Sequence, residues 1–133
     1  MMNLENELGW TPDPQYLKPT YEEWLKYQVD PDEKPEDPED PGIYGQSWLR
    51  WMQDNHNERF MYLYIKGELY KTAHEVEKMA SEFFTRMNFK LVPYWRHLLN
   101  ERVENFRHCE QILNLAQEEI RSQMNREIIC IER

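Results

Sequence analysis

From Gly42 onward, apolar residues return every three or four positions, the period of a helix that buries one face. Tyr44, Trp48, Leu49, Trp51 and Met52 mark a first helix, with Asn55 or His56 as its stop. Phe60, Met61, Leu63, Tyr64 and Ile65 form a dense second apolar helix over roughly residues 57–66, and Gly67 is placed to close it in the left-handed conformation. A third helix is expected from about residue 68 to 88, with Leu69, Ala73, Val76, Met79 or Ala80, and Phe83 on one stripe. Pro93 fits the first turn of a long last helix. The seam of that helix is Trp95, Leu99, Arg102, Phe106, Cys109, Leu113, Ala116 and Ile120, in alternating steps of four and three. Such a seam serves inside a domain or in a homodimer. Its one cation, Arg102, calls for a packed stem with a snorkelled head or a buried partner. The β-branched tail around Ile128, Ile129 and Ile131 predicts a short strand or an ordered extension.

The first 41 residues follow different rules. Pro12, Pro14 and Pro19 make residues 1–19 an extended segment, expected to lie on the body through Trp10, Tyr16 and Leu17. Thr20-Tyr21-Glu22-Glu23 is a capping box that opens a short helix, with Trp24, Leu25 and Val29 on its apolar face and Pro31 as its stop. Residues 30–41 read DPDEKPEDPEDP, and a segment this rich in proline and like charge cannot bury enough apolar area to offset its ordering. The expected fold is therefore all-α. It is a compact helical bundle of three main helices, the third and last long, with an extended acidic N-terminal arm. Along the chain this gives an arm at 1–29, an acidic proline-rich linker at 30–41 and a helical domain at 42–133, able to fold alone.

Charge sharpens the division. The 133 residues carry a net charge of −9. Residues 1–29 hold five acids against two lysines, residues 30–41 hold seven acids against Lys34, and residues 42–133 hold thirteen of each sign. The whole imbalance lies in the first 41 residues, as expected of a solvated spacer, of an arm that meets something basic, or of one that keeps the chain away from nucleic acid. Two cysteines do not make a disulfide framework, no apolar run is long enough for a membrane helix, and no signal peptide is expected. The expected location is the cytoplasm of a bacterial host.

Catalytic motifs are not recognisable. His97, Glu101, Glu104 and His108 have the spacing of metal ligands on one helical face, but a continuous helix would turn that face away from the seam, into solvent. Gly42-Ile43-Tyr44-Gly45 lacks the Lys-Ser/Thr of a phosphate-binding loop. Neither a cofactor nor a bound metal is expected, and the chain reads as a non-enzyme. Arg86, Lys90, Arg96, Arg102 and Arg107, interleaved with Phe89, Tyr94 and Trp95, face only Glu101 and Glu104 and form a locally basic stretch that would suit nucleic acid.

GIYGQSWLRWMQDNH (42–56), RFMYLYIKGELYKTAHEVEKMA (59–80) and ILNLAQEEIRSQMNREII (112–129) resemble the TnpV family of small proteins from bacterial transposons. The most recognisable points are Tyr44-Gly45, the stretch from Leu63 to Leu69 around Lys66-Gly67, and Ala116 with Glu118-Glu119. The linker and residues 81–111 depart from the pattern. The resemblance implies a mobile-element origin and a helical fold, and brings no activity. The leading expectation is a non-enzymatic protein that binds and modulates a nucleic-acid-processing protein with a basic surface, such as a host defence nuclease. In that role Asp30, Asp32, Glu33, Glu36, Asp37, Glu39 and Asp40 stand in for phosphates, and Trp10, Tyr16 and Trp24 are candidate aromatic anchors. The alternative is a DNA-binding accessory factor of transposition or excision that uses the 86–107 face. An unfamiliar enzyme is a third.

Overall fold

Trp48 and Met52 lose all solvent contact on one face of α3 (Ile43–Asn55), at the centre of an apolar cluster with Leu63, Leu69, Ala73, Val76 and Ala80. Their i, i+4 spacing sets them on one side of the helix, as the periodicity predicts. The computed structural model describes residues 3–28 and 40–133. Its regular elements are helical: α1 (Leu4–Leu8), a 3₁₀ turn (Pro14–Leu17), α2 (Tyr21–Gln28), α3, α4 (Asn57–Lys66), α5 (Leu69–Phe89), α6 (Val92–Asn100), α7 (Phe106–Met124) and a π turn (Asn125–Ile129). The all-α class follows the sequence reading. The acidic linker lies outside the described residues except for Asp40 and Pro41.

Contacts gather the chain into two compact units. Of the described residues, one comprises 40–84 and 122–133, the other 3–28 and 85–121. They cut across a division at residue 41, because the N-terminal segment groups with α6 and most of α7.

In the first of these units, α3 and α5 approach closely at two small residues. A Cβ on Gly45 would stand 2.6 Å from the Pro41 Cβ and 2.7 Å from the Ala73 carbonyl oxygen. Glu77, one turn along α5 from Ala73, reaches the N-terminus of α3, where its carboxylate accepts the amides of Tyr44 at 2.6 Å and Gly45 at 3.0 Å. A carboxylate suits the positive end of the helix dipole, so the Gly-Ile-Tyr-Gly turn is occupied by the protein's own anion. Gly67 ends α4 with φ 73°, and the amide of Glu68 returns to the Leu63 carbonyl. The tail is a π turn, with Ile129 buried and the Ile131 carbonyl accepting the Trp48 indole N–H at 3.0 Å.

The other unit centres on Leu8, Leu98, Cys109, Ile112 and Leu113, with Trp10, Tyr94 and Trp95 packed around them. Here the expected long last helix is two helices. α6 stops after Asn100, Glu101 is extended, and Asn105 takes φ 57° before α7 begins. The break shifts the register. Leu98 is 1% exposed while Leu99, the expected seam residue, is 67% exposed. From Cys109 onward the predicted seam holds, with Cys109, Leu113, Ala116 and Ile120 buried. Arg102 lies exposed in the break, without a seam to snorkel from.

Gly45→Ala is expected to destabilise the chain. Helix propensity favours Ala by about 1 kcal/mol, but the clash with the Ala73 carbonyl is with backbone, and overpacking of this kind costs about 1–3 kcal/mol. A urea melt followed by circular dichroism at 222 nm should show an earlier midpoint, and an unchanged midpoint would mean that α3 and α5 separate freely.

Candidate interaction surfaces

The N-terminal segment is built onto α6 through one histidine. Trp10 stacks on the His97 ring at 4.4 Å between centroids and 23° between planes. Tyr16 meets the same ring edge-on at 6.0 Å. The Asp13 backbone N–H donates to His97 Nδ1 at 3.0 Å, which fixes the neutral tautomer with its proton on Nε2. Asp13 also accepts the Gln15 amide and so opens the 3₁₀ turn that aims Tyr16. The Tyr16 hydroxyl donates to Glu101 at 2.8 Å, and Arg96 donates to the Lys18 carbonyl at 3.2 Å. Further along, Tyr21 and Trp24 pack on Phe89 with centroids 5.3 and 5.1 Å away.

Two expectations change here. Within the stretch expected to be extended, Leu4–Leu8 form a helix that Asn3 caps and Gly9 closes, and Pro14–Leu17 form a 3₁₀ turn, while α2 opens at Thr20 as its capping box predicts. His97 is half-buried under Trp10, Asp13 and Tyr16 rather than solvated, while Glu101, beyond the end of α6, stays exposed although it accepts the Tyr16 hydroxyl. The break after Asn100 also parts His97 from His108, and among the described residues no cluster of three potential metal ligands forms.

The three aromatic anchors Trp10, Tyr16 and Trp24 all have partners within the chain. Of the basic stretch, Arg86, Lys90, Arg102 and Arg107 are exposed, and Arg96 is half-buried against the Lys18 carbonyl. Of the seven linker acids only Asp40 is described. It is exposed, and its carboxylate accepts the Gly42 amide at 2.9 Å.

Sequence reading missed a surface on α4. Leu63 is 3% exposed, yet Ile65 is 78% and Tyr62 49% exposed, and Met61 and Tyr64 are exposed with them. Apolar residues on both sides of a helix mark it as interior or as an interaction element. Arg59 and Lys66 each stand over the Tyr62 ring at cation–π distances of 5.0 and 5.6 Å. The cue was present in the sequence, since one buried face cannot use six consecutive large apolar and aromatic residues, Phe60 to Ile65.

The family model for transposon-encoded protein TnpV matches residues 24–129. The chain belongs to the TnpV family. No curated protein and no solved structure matches it. The TnpV match includes the Gly42–Gly45 turn, its Glu77 cap and all of α4, and it begins at Trp24, after Trp10 and Tyr16. Among the described residues, no helix is long and apolar enough to cross a membrane.

The docked segment carries a pH signature. The Tyr16 phenol is raised above its usual value of 10.0, first by its hydrogen bond to the Glu101 carboxylate, then by burial and by repulsion from Glu101 and Asp13. A raised phenol stabilises the folded state fully below pH 10, and this contribution is lost as pH climbs through the shifted value. The carbon-bound ring protons of His97, followed by NMR, should therefore shift above pH 10, and at lower pH in Glu101→Gln. Coincident profiles would detach Tyr16 from the docking.

Trp10→Ala should cost about 2 kcal/mol in lost burial and stacking. Trp10→Phe should be nearly neutral, because it keeps a ring on His97 and removes a buried indole N–H that has no protein acceptor among the described residues. Chemical denaturation of the two variants separates the outcomes, and equal losses would show that the indole N–H matters more than the ring.

Proposed function

We propose that this TnpV-family protein works without chemistry of its own, as a mobile-element accessory that binds and modulates a nucleic-acid-processing protein. The observation that carries the reading is the segregation of charge. Residues 42–133 balance thirteen acids with thirteen bases, while residues 30–41 concentrate seven acids against one lysine. Enzymes that handle nucleic acid carry basic grooves, and a dense acidic segment competes for them as a phosphate mimic. A host defence nuclease is one such target. Inhibition would follow from occupying the groove.

The location of the aromatic residues supports a division of labour. Trp10, Tyr16 and Trp24 hold the N-terminal segment to its own unit, which leaves partner recognition to the acids from Asp30 to Asp40. Arg96, one of the five bases of the alternative DNA-binding reading, is likewise engaged by the Lys18 carbonyl.

The test is affinity capture from a bacterial host with and without nuclease treatment, using the wild-type chain and one in which the seven linker acids are changed to Asn and Gln. A stoichiometric protein should survive nuclease and be lost with the neutralised chain. Capture should also weaken as salt rises, because the attraction is screened over about 8 Å at physiological ionic strength. A nuclease-sensitive association that depends on Arg86, Lys90, Arg102 and Arg107 would favour the DNA-binding factor.

A further inference from the structure

We infer that the outward face of α4 is a self-complementary surface that pairs with α4 of a second copy of this chain, antiparallel and about a twofold axis at Tyr62. The inference is independent of the acidic segment. At roughly 100° per residue, Met61, Ile65 and Glu58 fall opposite the buried Leu63, and Tyr62 and Lys66 continue the exposed side at about 100° and about 60° from it. The apolar middle is Met61, Tyr62 and Ile65, all exposed. Glu58 lies in the first turn and Lys66 in the last, and both are exposed.

This order of charges selects the partner. Glu58 is four residues before Tyr62 and Lys66 four after it. A twofold axis at Tyr62 therefore sets each Glu58 opposite the Lys66 of the other copy, closing the apolar middle with two opposite-charge pairs. A parallel copy would set acid on acid and base on base. An isologous interface needs one surface to complement itself in this way. Arg59 falls opposite Ile65 of the second copy, where its stem extends the apolar contact and its head remains over Tyr62. One short helix per copy buries less than a standard interface, and the dimer should dissociate in the range of about 1–100 μM.

Sedimentation equilibrium of the full chain from low micromolar to several hundred micromolar measures this directly. The wild type should pass from monomer to dimer across that range. Glu58→Lys and Lys66→Glu should each weaken the dimer at least tenfold, by setting like charges opposite one another. The double variant carrying both changes should restore it, which a folding defect in either single variant would not allow. Tyr62→Cys in a Cys130→Ser background should form a disulfide with itself on mild oxidation, since the axis passes through that position. A monomer at all concentrations would overturn the inference. So would a dimer indifferent to both single reversals, or a double variant no tighter than the singles.

Discussion

The contact between Glu77 and the first amides of α3 is the constraint from which the unit around Trp48 is organised. It requires α3 and α5 to lie close enough for a side chain of α5 to reach backbone N–H groups of α3. That proximity in turn requires Gly45, because a side chain there would meet the Ala73 carbonyl. Once the two helices are held together, Trp48, Met52, Ala73, Val76 and Ala80 share one apolar interior. A charged acceptor on two N–H donors is among the stronger hydrogen-bond arrangements, and a helix N-terminus strengthens it. The turn that looked like a degenerate phosphate loop is thus a packing device. The TnpV match includes every residue of it.

The second unit depends on a different device. Ring contacts on His97 and hydrogen bonds through Asp13, Tyr16 and Lys18 hold a proline-rich stretch on α6. His97 presents a ring face to Trp10 and an acceptor to Asp13, so it binds the segment in two perpendicular directions. Leu8 then reaches the cluster of Leu98, Cys109, Ile112 and Leu113. Local caps at Asn3, Asp13 and Thr20 shape the short elements of the segment, and these contacts hold them to α6.

How much of this was legible follows from the range of the interactions. α3, the Gly67 stop of α4, the stripe of α5 and the α7 seam from Cys109 onward are set by local periodicity and capping, and they stand where the spacing places them. The break at residues 101–105 was missed because it contains neither Gly nor Pro. Its signal is a pair of asparagines, with Asn100 bonded to the Arg96 carbonyl and Asn105 in the left-handed region. One missed break displaced Leu99 and Arg102 from the seam and joined His97 to a solvent face it does not occupy. The docking of Trp10 and Tyr16 was expected from their aromatic character, but Leu17 stays 54% exposed, and periodicity could not name α6 as the place, more than eighty positions away. For α4 the pattern showed that apolar residues were in excess, without showing which of them the core would take.

The two cysteines occupy opposite conditions, Cys109 buried within its apolar cluster and Cys130 exposed beyond the π turn. The molecule therefore carries a reachable thiol and a concealed one in different units. A dye attached at Cys130 marks a known place without entering a core. Alkylation of Cys109 then times the opening of the unit to which it belongs, so the excursions of that unit alone can be followed by mass spectrometry.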